Sequence, residues 1–276
     1  MQSQTIQSSD GTGLNLVSWQ APDFSRGTVL IVHGLAEHMG RYDHVAKALS
    51  GAGFSVSGVE LRGHGDSDGK QGHVDTWSQY TDDLKAAVAA LGEDVVLVGH
   101  SMGGLVALAA ILDGLKVRAI ALSNPLLGVA VQAPAIKVAA AGWLSKLLPT
   151  LPMSNELDVN EISRDPDVVA RYEADDKVFS KITPRWYTEM MASIERVQGS
   201  AATFDLPLLL QQGDGDRITN VGDATAFFER WGHQDKKRVV YPGLFHEIFN
   251  EPEKEQVFAE LGQWLQGQTG LQGQGE

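Results

Sequence analysis

The chain contains no cysteine, which at once removes disulfide staples, thiolate metal sites and a cysteine nucleophile. Basic residues are scarce: 22 lysines and arginines stand against 35 aspartates and glutamates, for a formal net charge of -13. A field of that sign opposes the approach of phosphates, so nucleic acid is excluded as a partner and a neutral substrate is expected. Long apolar runs are missing as well. No stretch is long enough to span a bilayer, and residues 1–10 (MQSQTIQSSD) have neither the basic start nor the apolar centre of a secretory signal. A cytoplasmic location, with peripheral membrane contact at most, is the expectation. At 276 residues the chain can bury one large core, and no internal repeat divides it.

What is present is an alternation of strand and helix signals. Residues 27–34 (GTVLIVHG) are an apolar strand with an abrupt end, residues 41–50 set Val45, Ala46 and Leu49 at helical spacing, and residues 54–61 return to strand. Residues 76–91 are helical, with Leu84, Val88 and Leu91 on one face, and lead into a strand at 95–98. Strand, helix, strand is the unit of a parallel sheet. Ahead of it, residues 4–22 alternate weakly around Asp10-Gly11-Thr12-Gly13, which predicts two antiparallel strands. A further buried strand at 117–123 is followed by a change of pattern. From 124 to 204 the spacing is helical, with prolines at 125, 134, 149, 152, 166 and 184. Alternation resumes with a strand at 206–211, a helix at 221–231, a strand at 238–241 and a helix at 251–266. The expected fold is α/β, a mostly parallel central sheet flanked by helices. Its core would comprise 1–123 and 205–276, interrupted by a helical cap at 124–204.

The chemistry gathers around Val95-Val96-Leu97-Val98-Gly99-His100-Ser101-Met102-Gly103-Gly104. A buried strand turns into an apolar helix at Ser101, and Gly99-x-Ser101-x-Gly103 is the nucleophile-elbow pattern. A turn that sharp holds the serine in a strained conformation, and glycine two residues to either side lets strand and helix approach. An exposed serine needs a base. Among eight histidines, His246 is the best placed, because it follows the last strand and Pro242-Gly243 in a loop that a parallel sheet delivers to the edge of Ser101. His100 should point to the other side of the turn, while His33, His64 and His73 lie in glycine-flanked loops suited to structural hydrogen bonds. For the acid that orients the base, Gly213-Asp214-Gly215-Asp216 follows the strand at 206–211, and Asp216 is preferred to Asp214. The anion formed on a substrate carbonyl needs two N–H donors. Met102, at the helix start after the nucleophile, and Leu35, in the loop after the strand at 29–32, are the backbone candidates.

His33-Gly34-Leu35-Ala36-Glu37-His38 with Arg41-Tyr42, then Leu61-Arg62-Gly63-His64-Gly65-Asp66-Ser67-Asp68-Gly69, the elbow, the Gly213 loop and His246 together cover about residues 29–250. In these motifs the chain resembles the monoacylglycerol lipase and lysophospholipase branch of the α/β-hydrolases. The resemblance implies a Ser101, Asp216, His246 triad, an oxyanion hole from Leu35 and Met102, and a helical cap that carries a lipid tunnel. No cofactor and no metal are implied. One departure is Glu60, where the branch has aspartate, and it should bear on a loop rather than on catalysis.

In the cap, Ile136, Ala140, Trp143, Leu144 and Leu147 share a helical face, with Lys137, Ser145 and Lys146 off it. That stripe suits either packing on the core or a lid that takes an acyl chain, with Ile136, Trp143 and Leu144 as substrate contacts and transient contact with a lipid interface. Other signals fall away. Asp214-x-Asp216 lacks the later ligands of a calcium loop, and His246-Glu247 lacks the second histidine of a zinc protease. Serine at 101 weighs against epoxide hydrolase and dehalogenase chemistry. The expected activity is hydrolysis of monoacylglycerols to fatty acid and glycerol through an acyl-enzyme. Lysophospholipase or general carboxylesterase activity on the same triad is the alternative, and a binding protein on a hydrolase fold would need a broken triad or oxyanion loop.

Overall fold

Two faces of one sheet absorb the apolar runs. The structure, a computed structural model, describes residues 1–20, 24–92, 94–130 and 135–268, except the side chains of 135–139. Its first half runs β1 (Gln2–Gln7), β2 (Gly13–Ser18), β3 (Thr28–Val32), α1 (Asp43–Gly51), β4 (Ser55–Val59), α2 (Ser78–Leu91), β5 (Val95–His100), α3 (Met102–Leu112) and β6 (Ala119–Ser123). There follow α4 (Ala135–Leu147), β7 (Met153–Ser154), α5 (Pro166–Glu173), β8 (Lys181–Ile182) and α6 (Pro184–Gly199). The chain then returns with β9 (Leu208–Gly213), α7 (Val221–Glu229), β10 (Lys236–Tyr241) and α8 (Lys254–Gln268). Eight strands form one sheet in the order β1-β2-β4-β3-β5-β6-β9-β10. β2 pairs antiparallel with β1 and β4, and every other pairing is parallel.

Period-two alternation splits each central strand between two cores. Leu30, Val32, Val95 and Leu97 face the core closed by α2, α3 and α6, whereas Val29, Ile31, Val96 and Val98 face the one closed by α1 and α8. Residues Met102 to Ala110 of α3 are all buried, and a helix apolar on every side has to be enclosed in this way. The outer strand β10 carries Lys236, Lys237 and Arg238, charges that discourage pairing with another chain. Because β3, β5, β6, β9 and β10 run parallel, their following loops meet at one edge.

The segment between β6 and β9 contains α4, α5 and α6, and two of its prolines begin helices. Pro166 and Pro184 occupy first-turn positions, behind Asp165, which accepts from Asp167 N–H, and Thr183, which accepts from Trp186 N–H. The two-residue strands β7 and β8 pair antiparallel, too short to leave a pattern in the sequence. One expectation is reversed here. Ala141 and Ser145 form the buried face of α4, while Ala140, Trp143 and Leu147 are exposed. Small residues let α4 lie close on α6, where Ser145 Oγ and Thr188 Oγ1 are 2.9 Å apart and Arg185 donates to Ser145 O. No described helix is long and apolar enough to cross a membrane.

Candidate active site

The turn from β5 into α3 holds Ser101 at φ 50°, ψ -120°, a left-handed conformation that costs a non-glycine residue energy. Packing leaves no alternative. A Cβ on Gly103 would lie 2.1 Å from Val32 O, and one on Gly99 would lie 2.8 Å from Gly104 Cα, so larger residues at either position would force strand and helix apart. Leu126 N–H and Leu105 N–H both reach Ser101 O, which fixes the turn from behind.

His246, in the loop after β10, and Ser101 line the same cavity. His246 Nδ1 is 2.8 Å from Asp216 Oδ2, in the loop after β9. Asp216 is buried and saturated: its Oδ1 accepts from Ile218 N–H and Thr219 N–H, and its Oδ2 from Thr219 Oγ1 as well as from His246. Burial alone would raise the Asp216 pKa, but the His246 charge and these hydrogen bonds outweigh it and the net direction is down. Burial likewise disfavours the charged imidazole of His246. The Asp216 carboxylate, with smaller contributions from Glu247 and Glu37, overrides that and lifts its pKa above 6.5. Asp214 is exposed and accepts instead from Gly243 N–H, which ties the two loops together.

His33 is buried, and its Nε2 accepts from Leu61 N–H, so the proton sits on Nδ1 and is donated to Gly34 O at 2.7 Å. Burial lowers its pKa to about 4, which keeps the ring neutral in that tautomer. Across a trans peptide the Leu35 N–H points opposite to the Gly34 carbonyl. Among the described residues, neither the Leu35 nor the Met102 N–H has a protein acceptor. His100 does not line the cavity but packs behind it, its Nδ1 3.1 Å from Ser123 O and its ring 4.8 Å from that of His246. Glu60 accepts from Asn15 Nδ2, Met39 N–H and Asp66 N–H, which makes it a loop clamp.

The cavity has a volume of about 400 Å³ and two kinds of wall. Leu35, Leu126, Ile182, Trp186, Met190 and Ile218 supply an apolar side. Glu37, Glu247 and Tyr172 supply a polar one, backed by Arg41, whose guanidinium forks Glu247 at 2.8 and 2.7 Å and lies 4.6 Å above the Tyr172 ring. Burial raises Glu37 to about 7, against the pull of Arg41, while Arg41 holds Glu247 below its usual range despite burial. Trp143 and Leu144 are not among the lining residues: α4 turns its small face inward, and Trp143 is 71% exposed. The side chain of Ile136 lies outside the described residues.

Two features of the site carry little short-range signal. Arg41 and Glu247 are 206 residues apart in the chain. Asn124, buried at the end of β6 with φ 38°, accepts from Gly213 N–H and donates to the carbonyls of Phe245 and His246, pinning the acid loop to the base loop. An asparagine directly after a buried strand and before a proline was the available hint, because asparagine tolerates the left-handed region.

The Hydrolase_4 family, described as serine aminopeptidase S33, matches residues 23–253. The chain is 36% identical over 255 residues to a monoacylglycerol lipase of Mycolicibacterium smegmatis, covering 90% of each. It is 31% identical over 247 residues to phospholipase YtpA of Bacillus subtilis, covering 87% of this chain and 95% of that relative. The crystal structure of Paleococcus ferrophilus monoacylglycerol lipase matches with a TM-score of 0.86 at 34% identity, over 92% of this chain and 99% of that one. On the elbow, the sheet order and these likenesses together, the chain belongs to the Hydrolase_4 (serine aminopeptidase, S33) family, in the monoacylglycerol lipase branch of the α/β-hydrolases, and is a carboxylic ester hydrolase.

Proposed function

We propose that the protein hydrolyses monoacylglycerols to fatty acid and glycerol, with Ser101 as nucleophile, His246 as general base and then acid, and Asp216 as its orienting carboxylate. One observation carries this reading: an imidazole bonded to a buried carboxylate shares the wall of a largely apolar cavity with a serine on a strained turn. His246 takes the Ser101 proton as Oγ attacks the ester carbonyl, and the Leu35 and Met102 amides receive the oxyanion. His246 then protonates the departing glycerol oxygen, and water repeats the cycle on the acyl-enzyme. The apolar wall suits the acyl chain and the Glu37/Glu247 wall suits hydroxyls. In this reading 1–123 and 205–276 are the catalytic core and 124–204 the cap, and the protein works in the cytoplasm at the edge of lipid aggregates.

Similarity to a phospholipase supports lysophospholipid hydrolysis as the second reading. A panel of monoacylglycerols, lysophospholipids and short chromogenic esters separates the two, with higher kcat/KM on monoacylglycerols as the expected outcome. A preference for lysophospholipids would overturn the substrate assignment.

The cap makes its own contribution to that panel. Trp143, Leu147, Leu148 and Leu151 are large exposed apolar residues around the end of α4, beside Lys146. Such a patch on the cap is suited to touching a lipid surface. Trp143→Glu is expected to lower activity on aggregated long-chain substrate at least about tenfold while leaving a dispersed short ester within about twofold. Equal losses on both would remove the interfacial role.

The base must be neutral to accept the serine proton. With the His246 pKa lifted above 6.5, kcat/KM for a short ester should fall as the pH drops through an acid limb whose midpoint lies above 6.5. Glu37 titrates nearby, at about 7, so the profile is repeated on Glu37→Gln. The limb should survive there; its disappearance would assign it to Glu37.

A further inference from the structure

Arg41 is also a wall of a second cavity. Its guanidinium is engaged by Glu247, which lines the Ser101 site, while Arg41 itself borders a separate space of about 400 Å³ between α5, α1 and the start of α8. Arg171 of α5 and Lys254 of α8 line this space from two different elements.

A charge account of the walls leaves these two cations in excess of the single carboxylate beside them. Arg41 is neutralised by Glu247 and Glu37. Asp175 is the one carboxylate lining the space; its Oδ2 takes His38 Nε2 at 2.7 Å, and its Oδ1 takes Lys177 N–H at 2.9 Å. Of the acidic neighbours of Lys254 in the chain, Glu251 and Glu253 are held by Arg164, and Glu255 makes no ion pair with Lys254. Among the described residues, no carboxylate lies within ion-pair distance of Arg171 or Lys254. In a protein of net charge -13, a concave site that collects positive charge is the exception to the prevailing field.

The lining also limits the shape of an occupant. Among the described residues, Val168 is the sole apolar side chain in the wall, so an acyl chain has little to pack on and a compact polar anion is favoured. A planar guanidinium fork and an ammonium lining one space suit a tetrahedral oxyanion, which can accept from both. We propose that this cavity binds a phosphate monoester through Arg171 and Lys254, and that the bound anion clamps α5 against α8. The phosphate could be free or part of a lipid headgroup, with the same recognition chemistry in either case.

Calorimetry with inorganic phosphate and with glycerol 3-phosphate, at ionic strength matched with sodium chloride, reads the free anion. Co-sedimentation with phosphatidylcholine vesicles, with and without phosphatidic acid, reads the headgroup. Both are run on the wild type and on Arg171→Glu/Lys254→Glu, with short-ester turnover as the check on folding. The expected result is saturable binding in at least one arm, weakened at least about tenfold in the double variant while turnover stays within about twofold. Binding in the calorimeter identifies a free anion, whereas a gain confined to phosphatidic acid vesicles identifies a headgroup. No saturable binding in either arm, or binding that the double variant retains, overturns the site.

Discussion

Replacing Ser101 by alanine should lower kcat on every ester by about 10⁵ to 10⁶, while the protein keeps its thermal stability and its substrate-binding cavity. The size of the loss follows from the chemistry. Without Oγ there is no acyl-enzyme, and the imidazole and the two amide donors can assist only a direct attack by water. Oxyanion stabilisation and binding on their own leave a residual rate of roughly 10³ to 10⁴ over the uncatalysed reaction. Stability should change little, because alanine has a Cβ as serine does and bears the same left-handed strain at φ 50°. The decisive comparison is a single-turnover burst with a chromogenic ester, present in the wild type and absent in Ser101→Ala. A variant that kept its burst would place the nucleophile elsewhere.

The elbow was readable because all its determinants lie within a few residues: a β-branched run, two glycines and an apolar helix. The neighbourhood of Asp216 and His246 was readable for a topological reason, since a parallel sheet returns every strand's carboxyl end to one edge, and loops far apart in the chain are then neighbours. What the sequence hid depends on partners that it cannot name. Helical periodicity put Ala140, Trp143 and Leu147 of α4 on one face, but it does not say which side is water; α6 offered a surface that only Ala141 and Ser145 fit closely. The Arg41–Glu247 fork and the Asn124 clamp are long-range contacts between ordinary polar residues, with no spacing rule behind them.

Asp216→Asn is the sharper test of how the base is held. In the carboxylate, Oδ1 takes two backbone N–H groups and Oδ2 takes Thr219 Oγ1 and His246 Nδ1. An asparagine can keep the first pair only by leaving its carbonyl oxygen at the Oδ1 position, which turns its NH₂ toward His246 Nδ1. That nitrogen must then accept, so the imidazole proton moves to Nε2 and the nitrogen needed to deprotonate Ser101 is blocked. The expected loss in kcat is about 10⁴, the cost of the wrong tautomer in a serine hydrolase triad. The carboxylate that raises the His246 pKa is lost as well, so the acid limb of whatever activity remains should move to lower pH. Asp214→Asn supplies the contrast. It is exposed, it receives Gly243 N–H, and an amide oxygen accepts that bond equally well, so activity should stay within about twofold. If Asp214→Asn were as damaging as Asp216→Asn, or if Asp216→Asn cost less than about tenfold, orientation of His246 would have to come from another group.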